Sequence, residues 1–145
     1  MKKSGRILLL CSLALLVFAF RGAGLQAQEE RIDIGPKEEF QKEMVKPLPQ
    51  YKLIVFSDGE NVWAMSSTCT HKGCTVSWRE AEKGLACPCH GARFGKDGQV
   101  LRGPAEKSLP AYAVGEDAKG HLFVDKGVTV DPGVRHALSV PQKAE

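Results

Sequence analysis

Cys69-Thr70-His71-Lys72-Gly73-Cys74 and Cys87-Pro88-Cys89-His90-Gly91 are the two stretches on which the reading of this chain turns. Each supplies one cysteine and one histidine at chelating distance, and each carries one further cysteine. Two cysteines and two histidines also make a structural zinc set. Zinc fingers, however, separate their cysteines by about two to four residues and place the histidines later. Here a Cys-x-His pair is followed by a Cys-x-x-His pair, with two cysteines left over. A redox dithiol built from Cys87 and Cys89 alone would leave both histidines without a role. The favoured reading is a metal site of mixed thiolate and imidazole donors.

The two motifs, with Gly91-Ala92-Arg93-Phe94 and Gly103-Pro104-Ala105, resemble those of Rieske electron-transfer proteins. The resemblance covers roughly Ile54 to Val124. It implies one 2Fe-2S cluster, with Cys69 and Cys87 on the buried iron and His71 and His90 on the iron nearer solvent. It implies a disulfide between Cys74 and Cys89 that ties the two loops together. Gly73 and Gly91 are expected at positive φ, letting backbone amides approach the cluster sulfurs. Gly103-Pro104 resembles the proline loop that caps the cluster, where Pro104 adds rigidity without a donor. Replacing two thiolates by imidazoles raises the potential of such a cluster into a window of about −150 to +300 mV. Imidazole ligands also couple reduction to protonation.

Three positions depart from the pattern of respiratory and photosynthetic Rieske subunits. Those subunits carry Ser two residues, and Tyr four residues, after the second histidine ligand; here these places are Ala92 and Phe94. Both hydroxyls that would donate to cluster sulfur are therefore missing, which implies a potential below the top of the window. Those subunits also carry Leu after the first histidine ligand, where this chain has Lys72. A flexible cation there implies docking on an acidic partner.

The chain has 145 residues and a formal charge of +3. Lys2, Lys3, Arg6 and Arg21 precede Gln28 with no acidic residue among them. The remainder holds 16 basic against 17 acidic residues, so there is no basic excess for nucleic acid. Residues 1–27 read as an export signal: a charged start, an apolar run from Ile7 to Phe20 broken by Ser12, and a cleavage point at Leu25-Gln26-Ala27. The rival reading is an uncleaved anchor giving membrane contact through the N-terminus. Spanning a bilayer takes about 20 apolar residues, and Arg21 interrupts this run. Cys11 lacks the small residues of a lipoprotein site before it and reads as filler. Exported bacterial Rieske proteins often carry twin arginines; Lys2-Lys3 and an isolated Arg6 stand here instead. Either reading puts the domain outside the cytoplasm, periplasmic or on the outer face of the cytoplasmic membrane, where a disulfide persists.

Short strands and turns fill the rest, which indicates an all-β fold. The resemblance makes it an antiparallel β-sandwich with a cluster-binding subdomain of two loops. Residues 28–49 read as a charged lead-in with a first strand at Ile32-Asp33-Ile34, residues 50–127 as the Rieske domain, and residues 128–145 as an extended tail. Tyr51–Phe56 and Asn61–Met65 read as a hairpin around Ser57-Asp58-Gly59-Glu60, and Thr75–Trp78 as a short strand. Ala111–Val114 and His121–Val124 read as a closing hairpin. His121 and His136 read as surface residues, Trp63 and Trp78 as core aromatics, and Arg93 as a solvated charge. The expected function is an exported one-electron carrier with no catalytic residues of its own. The alternative is the iron–sulfur subunit of a larger oxidoreductase, a quinol–cytochrome c reductase or an arsenite-oxidase-like complex. The partner is a redox protein, either a cytochrome or an oxidoreductase subunit. A ring-hydroxylase ferredoxin usually lacks the extra cysteine pair.

Overall fold

The computed structural model of this chain describes residues 31–138, so the expected signal and the end of the tail lie outside the described residues. Its centre is a hairpin, β3 (Leu53–Asp58) and β4 (Asn61–Ser66). Asp58 shapes the turn: its carboxylate accepts hydrogen bonds from the backbone amides of Glu60 at 3.1 Å and Asn61 at 2.7 Å. The register sets Phe56 opposite Trp63 and Val55 opposite Ala64. Phe56 and Trp63 stack, with ring centroids 5.5 Å apart.

Both faces of this hairpin are covered, which explains why β3 reads as a continuous apolar run rather than an alternating one. Leu53, Val55, Val62 and Ala64 pack with Phe40, Leu122 and Val124 in one core. Ile54, Phe56, Trp63 and Met65 pack with Leu85, Phe94, Leu109 and both free cysteines in a second core. Full burial of Phe56 and Phe94 contributes about 1.5–3 kcal/mol each.

The large sheet adds β1 (Arg31–Pro36), β2 (Glu43–Leu48), β9 (Ala111–Glu116), β10 (His121–Val130) and β11 (His136–Ala137). Its order is β1-β10-β9-β4-β3-β2, with β11 paired to β4. The edge strands β1 and β2 approach each other: Lys46 Nζ donates to the Ile34 carbonyl at 2.7 Å. The small sheet has β5 (Ser77–Arg79), β6 (Gly84–Ala86), β7 (Arg93–Phe94) and β8 (Val100–Arg102), in that order and antiparallel. This small sheet is one excursion between β4 and β9. It leaves at Ser66 and returns at Ala111, beside its own start: the Ser66 amide donates to the Pro110 carbonyl at 2.8 Å, and Met65 pairs with Ala111.

The all-β fold is the one expected, with local differences. Residues 43–48, read as part of a lead-in, form the edge strand β2 against β3. The strand expected at Thr75 starts at Ser77, while Thr75 bridges back to Thr68. Strand β10 continues past Val124 because a bulge between Asp125 and Thr129 restores its pairing with β9. His136 is not a surface residue: it is half-buried in β11, and its Nε2 is buried without a partner among the described residues. Trp78 is half-buried against the second core, edge-on to Phe56. Arg93 is ion-paired, its Nε 3.0 Å from Glu82. Among the described residues no helix is long and apolar enough to cross a membrane.

Candidate metal centre

Two loops project from the small sheet's end, residues 67–76 between β4 and β5 and residues 87–92 between β6 and β7. They are built on one plan. In the first, the Cys69 amide donates to the Cys74 carbonyl at 2.8 Å and the Gly73 amide to the Cys69 carbonyl at 2.9 Å. In the second, the Cys87 amide donates to the Ala92 carbonyl at 2.9 Å and the Gly91 amide to the Cys87 carbonyl at 3.1 Å. Gly73 and Gly91 both sit at φ +76°, a conformation that disfavours any residue with a Cβ. Their own amides thus close the turns.

The disulfide between Cys74 and Cys89 is present, with Cα atoms 6.5 Å apart. Cys69 and Cys87 remain free and buried, each 2% exposed. The sulfurs of Cys74, Cys87 and Cys89 lie within 4.8 Å of one another. The disulfide consumes two of these, so that trio is not a thiolate set, and only Cys87 can contribute a metal ligand from it. Burial pushes the Cys69 thiol up, and the neighbouring Cys87 pushes it further; the backbone amides of His71 and Lys72 act the other way. His71 is half-buried and His90 exposed. Their rings stand perpendicular, with centroids 4.9 Å apart.

These residues fit an iron–sulfur cluster. Two adjacent thiols under apolar cover ionise together only when a cation compensates them. His71 Nδ1 is buried with no hydrogen-bond partner among the described residues, which ordinarily costs about 1–3 kcal/mol and which a metal bond would relieve. The donor set, two sulfurs inside and two imidazoles outside, is that of a mixed-ligand 2Fe-2S centre.

The surrounding residues fall into two groups. Ala92 and Phe94 are fully buried in the core that contains Cys69 and Cys87. Gly103 and Pro104 are exposed, and Ala105, next to them, packs in that same core. Thr70 was not singled out from the sequence, yet its Oγ1 donates to the Lys107 carbonyl at 2.6 Å and pins the first loop to the segment after Pro104. No local sequence signal could have revealed a contact 37 residues away.

The family described as "Rieske 2Fe-2S domain" matches residues 30–113. The cytochrome b6-f complex iron-sulfur subunit of Chlorobaculum tepidum is 46% identical over 69 residues, which are 47% of this chain and 38% of that one. The chloroplastic cytochrome b6-f complex iron-sulfur subunit of Oryza sativa subsp. japonica is 33% identical over 103 residues, 71% of this chain and 46% of that one. The matches to curated relatives thus span about a third to a half of those proteins' length. Among solved structures, the plasma membrane Rieske protein PetC3 of Synechocystis PCC 6803 superposes with a TM-score of 0.50 at 34% identity, covering 64% of this chain and 97% of that one.

Proposed function

The chain belongs to the Rieske 2Fe-2S domain family, and from that premise we propose that it is a one-electron carrier working outside the cytoplasm. One observation carries the reading: two buried cysteines and two neighbouring imidazoles sit on paired loops clamped by a disulfide. Cys69 and Cys87 hold one iron, and His71 and His90 the other. When bound, the cluster supplies a one-electron couple within about −150 to +300 mV.

The chain's own residues set the conditions. Burial keeps the Cys69 and Cys87 thiolates from water. The amides of His71 and Lys72, which act on the Cys69 sulfur, favour its charged form. The Cys74–Cys89 disulfide ties the two loops together. The exposed ring of His90 offers the edge through which a partner exchanges electrons. Ala92 and Phe94 add no hydroxyl to this surround, so the potential lies below the upper limit of the window.

Residues 1–27 act as the export signal, and the disulfide suits the oxidising compartment reached. Service as an iron–sulfur subunit of a larger oxidoreductase is the second reading, favoured by the names of the cytochrome b6-f relatives. Co-purification with a cytochrome b or a molybdenum subunit would select it. The deciding measurement is metal and sulfide analysis with EPR of the reduced protein. Two irons, two labile sulfides and a low average g support the proposal; one zinc without sulfide sinks it.

A further inference from the structure

We propose that the histidine end of this domain is a cationic docking surface for a small acidic electron-transfer protein; this rests on the carrier reading above. The described residues hold 15 basic and 14 acidic side chains, close to balance. The three segments that form the histidine end, residues 67–76, 87–92 and 101–110, are not balanced. They carry Lys72, Arg102 and Lys107 against Glu106 alone.

The placement of these cations follows from the fold. Lys72 follows His71 in the tight turn closed by the Gly73 amide. Lys107 lies against the same loop, because Thr70 Oγ1 holds its carbonyl at 2.6 Å. Arg102 ends β8 opposite Arg93 and leads into Gly103-Pro104. All three side chains are exposed and have no ion pair among the described residues. Elsewhere several cations are neutralised: Lys37 by Glu116, Lys96 by Glu43, Arg93 by Glu82 and Arg135 by Asp58.

Unpaired cations around an exposed redox edge attract and orient an anionic partner before contact. A lipid surface fits less well. Polybasic membrane sites gather about four to eight Lys or Arg, whereas this end has three, opposed by a carboxylate.

The test uses the full-length holoprotein and one probe in two charge states: native cytochrome c, which is basic, and cytochrome c succinylated on its lysines, which is acidic. Binding is measured by surface plasmon resonance, and electron transfer by stopped flow, across ionic strength. The acidic probe should bind more tightly and be reduced faster, with both advantages vanishing as salt is raised. Lys72→Glu with Lys107→Glu should weaken binding of the acidic probe about tenfold or more, and Glu106→Lys should strengthen it. Lys119→Glu, one such substitution in the turn between β9 and β10 and half the charge change of the double variant, should leave it unaltered. Equal binding of the two probes, or preference for the basic one, overturns the docking surface even if electrons flow. Charge-selective binding without reduction upholds the surface and fails the carrier reading. Lysine-dependent binding to phosphatidylserine vesicles that exceeds binding to the acidic probe would overturn the proposal in favour of a membrane.

Discussion

The two cysteine–histidine loops share a backbone hydrogen-bonding pattern and differ in what hangs from it. Count from Cys69 in one and Cys87 in the other. Each cysteine amide donates to the carbonyl of the fifth residue on, and each cysteine carbonyl accepts from the glycine four residues on. The side chains break this equivalence. The first loop has histidine at the second position and cysteine at the fifth; the second has cysteine at the second, histidine at the third and alanine at the fifth. The disulfide therefore joins unlike places, the fifth of one loop and the second of the other. One hydrogen-bonded frame serves twice, and chemistry is written on it by the order of donors.

If the equivalence extends to the metal, Cys69→Ala and Cys87→Ala should each abolish the cluster, as should His71→Ala or His90→Ala. Iron and sulfide content should fall from two each to near zero, with loss of the reduced EPR signal. A variant of one loop that retained a full cluster would break the comparison.

The disulfide should matter next. Cys74→Ser or Cys89→Ser removes a bridge spanning 15 residues, a loss of about 3 kcal/mol in the chain-entropy account. Thermal unfolding should come at lower temperature and iron should bleach faster to a chelator. Two free thiols at these positions in the air-exposed holoprotein would contradict the clamp.

Asymmetry should show in the potential. Ala92 and Phe94 both belong to the second loop's side of the site, and both are fully buried. Ala92→Ser and Phe94→Tyr should each raise the potential by several tens of millivolts, since a donor to a charged acceptor contributes about 1.5–3 kcal/mol before context and about 59 mV is tenfold for one electron. Voltammetry reads it; a wild-type value near +300 mV, unmoved by either hydroxyl, would show that backbone amides set the potential instead.

The glycines give the smallest effect and the sharpest test of likeness. A Cβ added at Gly73 or Gly91 meets nothing within 4 Å. Only the positive φ opposes it, so Gly73→Ala and Gly91→Ala should each cost about 1 kcal/mol, equally. A marked inequality in denaturant unfolding would show that the frames are less alike than their hydrogen bonds.

Much of this was legible in the sequence because it is local. The loops announce themselves through cysteine and histidine spacing, and β3, β4, β9 and β10 through apolar runs bounded by Asp58-Gly59 and Lys119-Gly120. Strand β2 was hidden because Glu43, Lys46 and Pro47 give it the look of a linker; as an edge strand it tolerates all three. β11 has two residues, and only its pairing with Val62 and Asn61 makes it a strand. The burial of His136 follows from that long-range pairing, as does the Thr70 contact from the return of the chain past Pro104.

The excursion from Ser66 to Ala111 has a consequence for how this architecture tolerates change. Its two stems are stitched side by side by the large sheet, at Met65 with Ala111 and at Ser66 with Pro110. Closure of the detour is thus settled by the scaffold and not by the detour's contents. An altered excursion would fit the same place only if it presented an apolar underside to Ile54, Phe56, Trp63 and Met65, as Leu85, Phe94 and Leu109 do here.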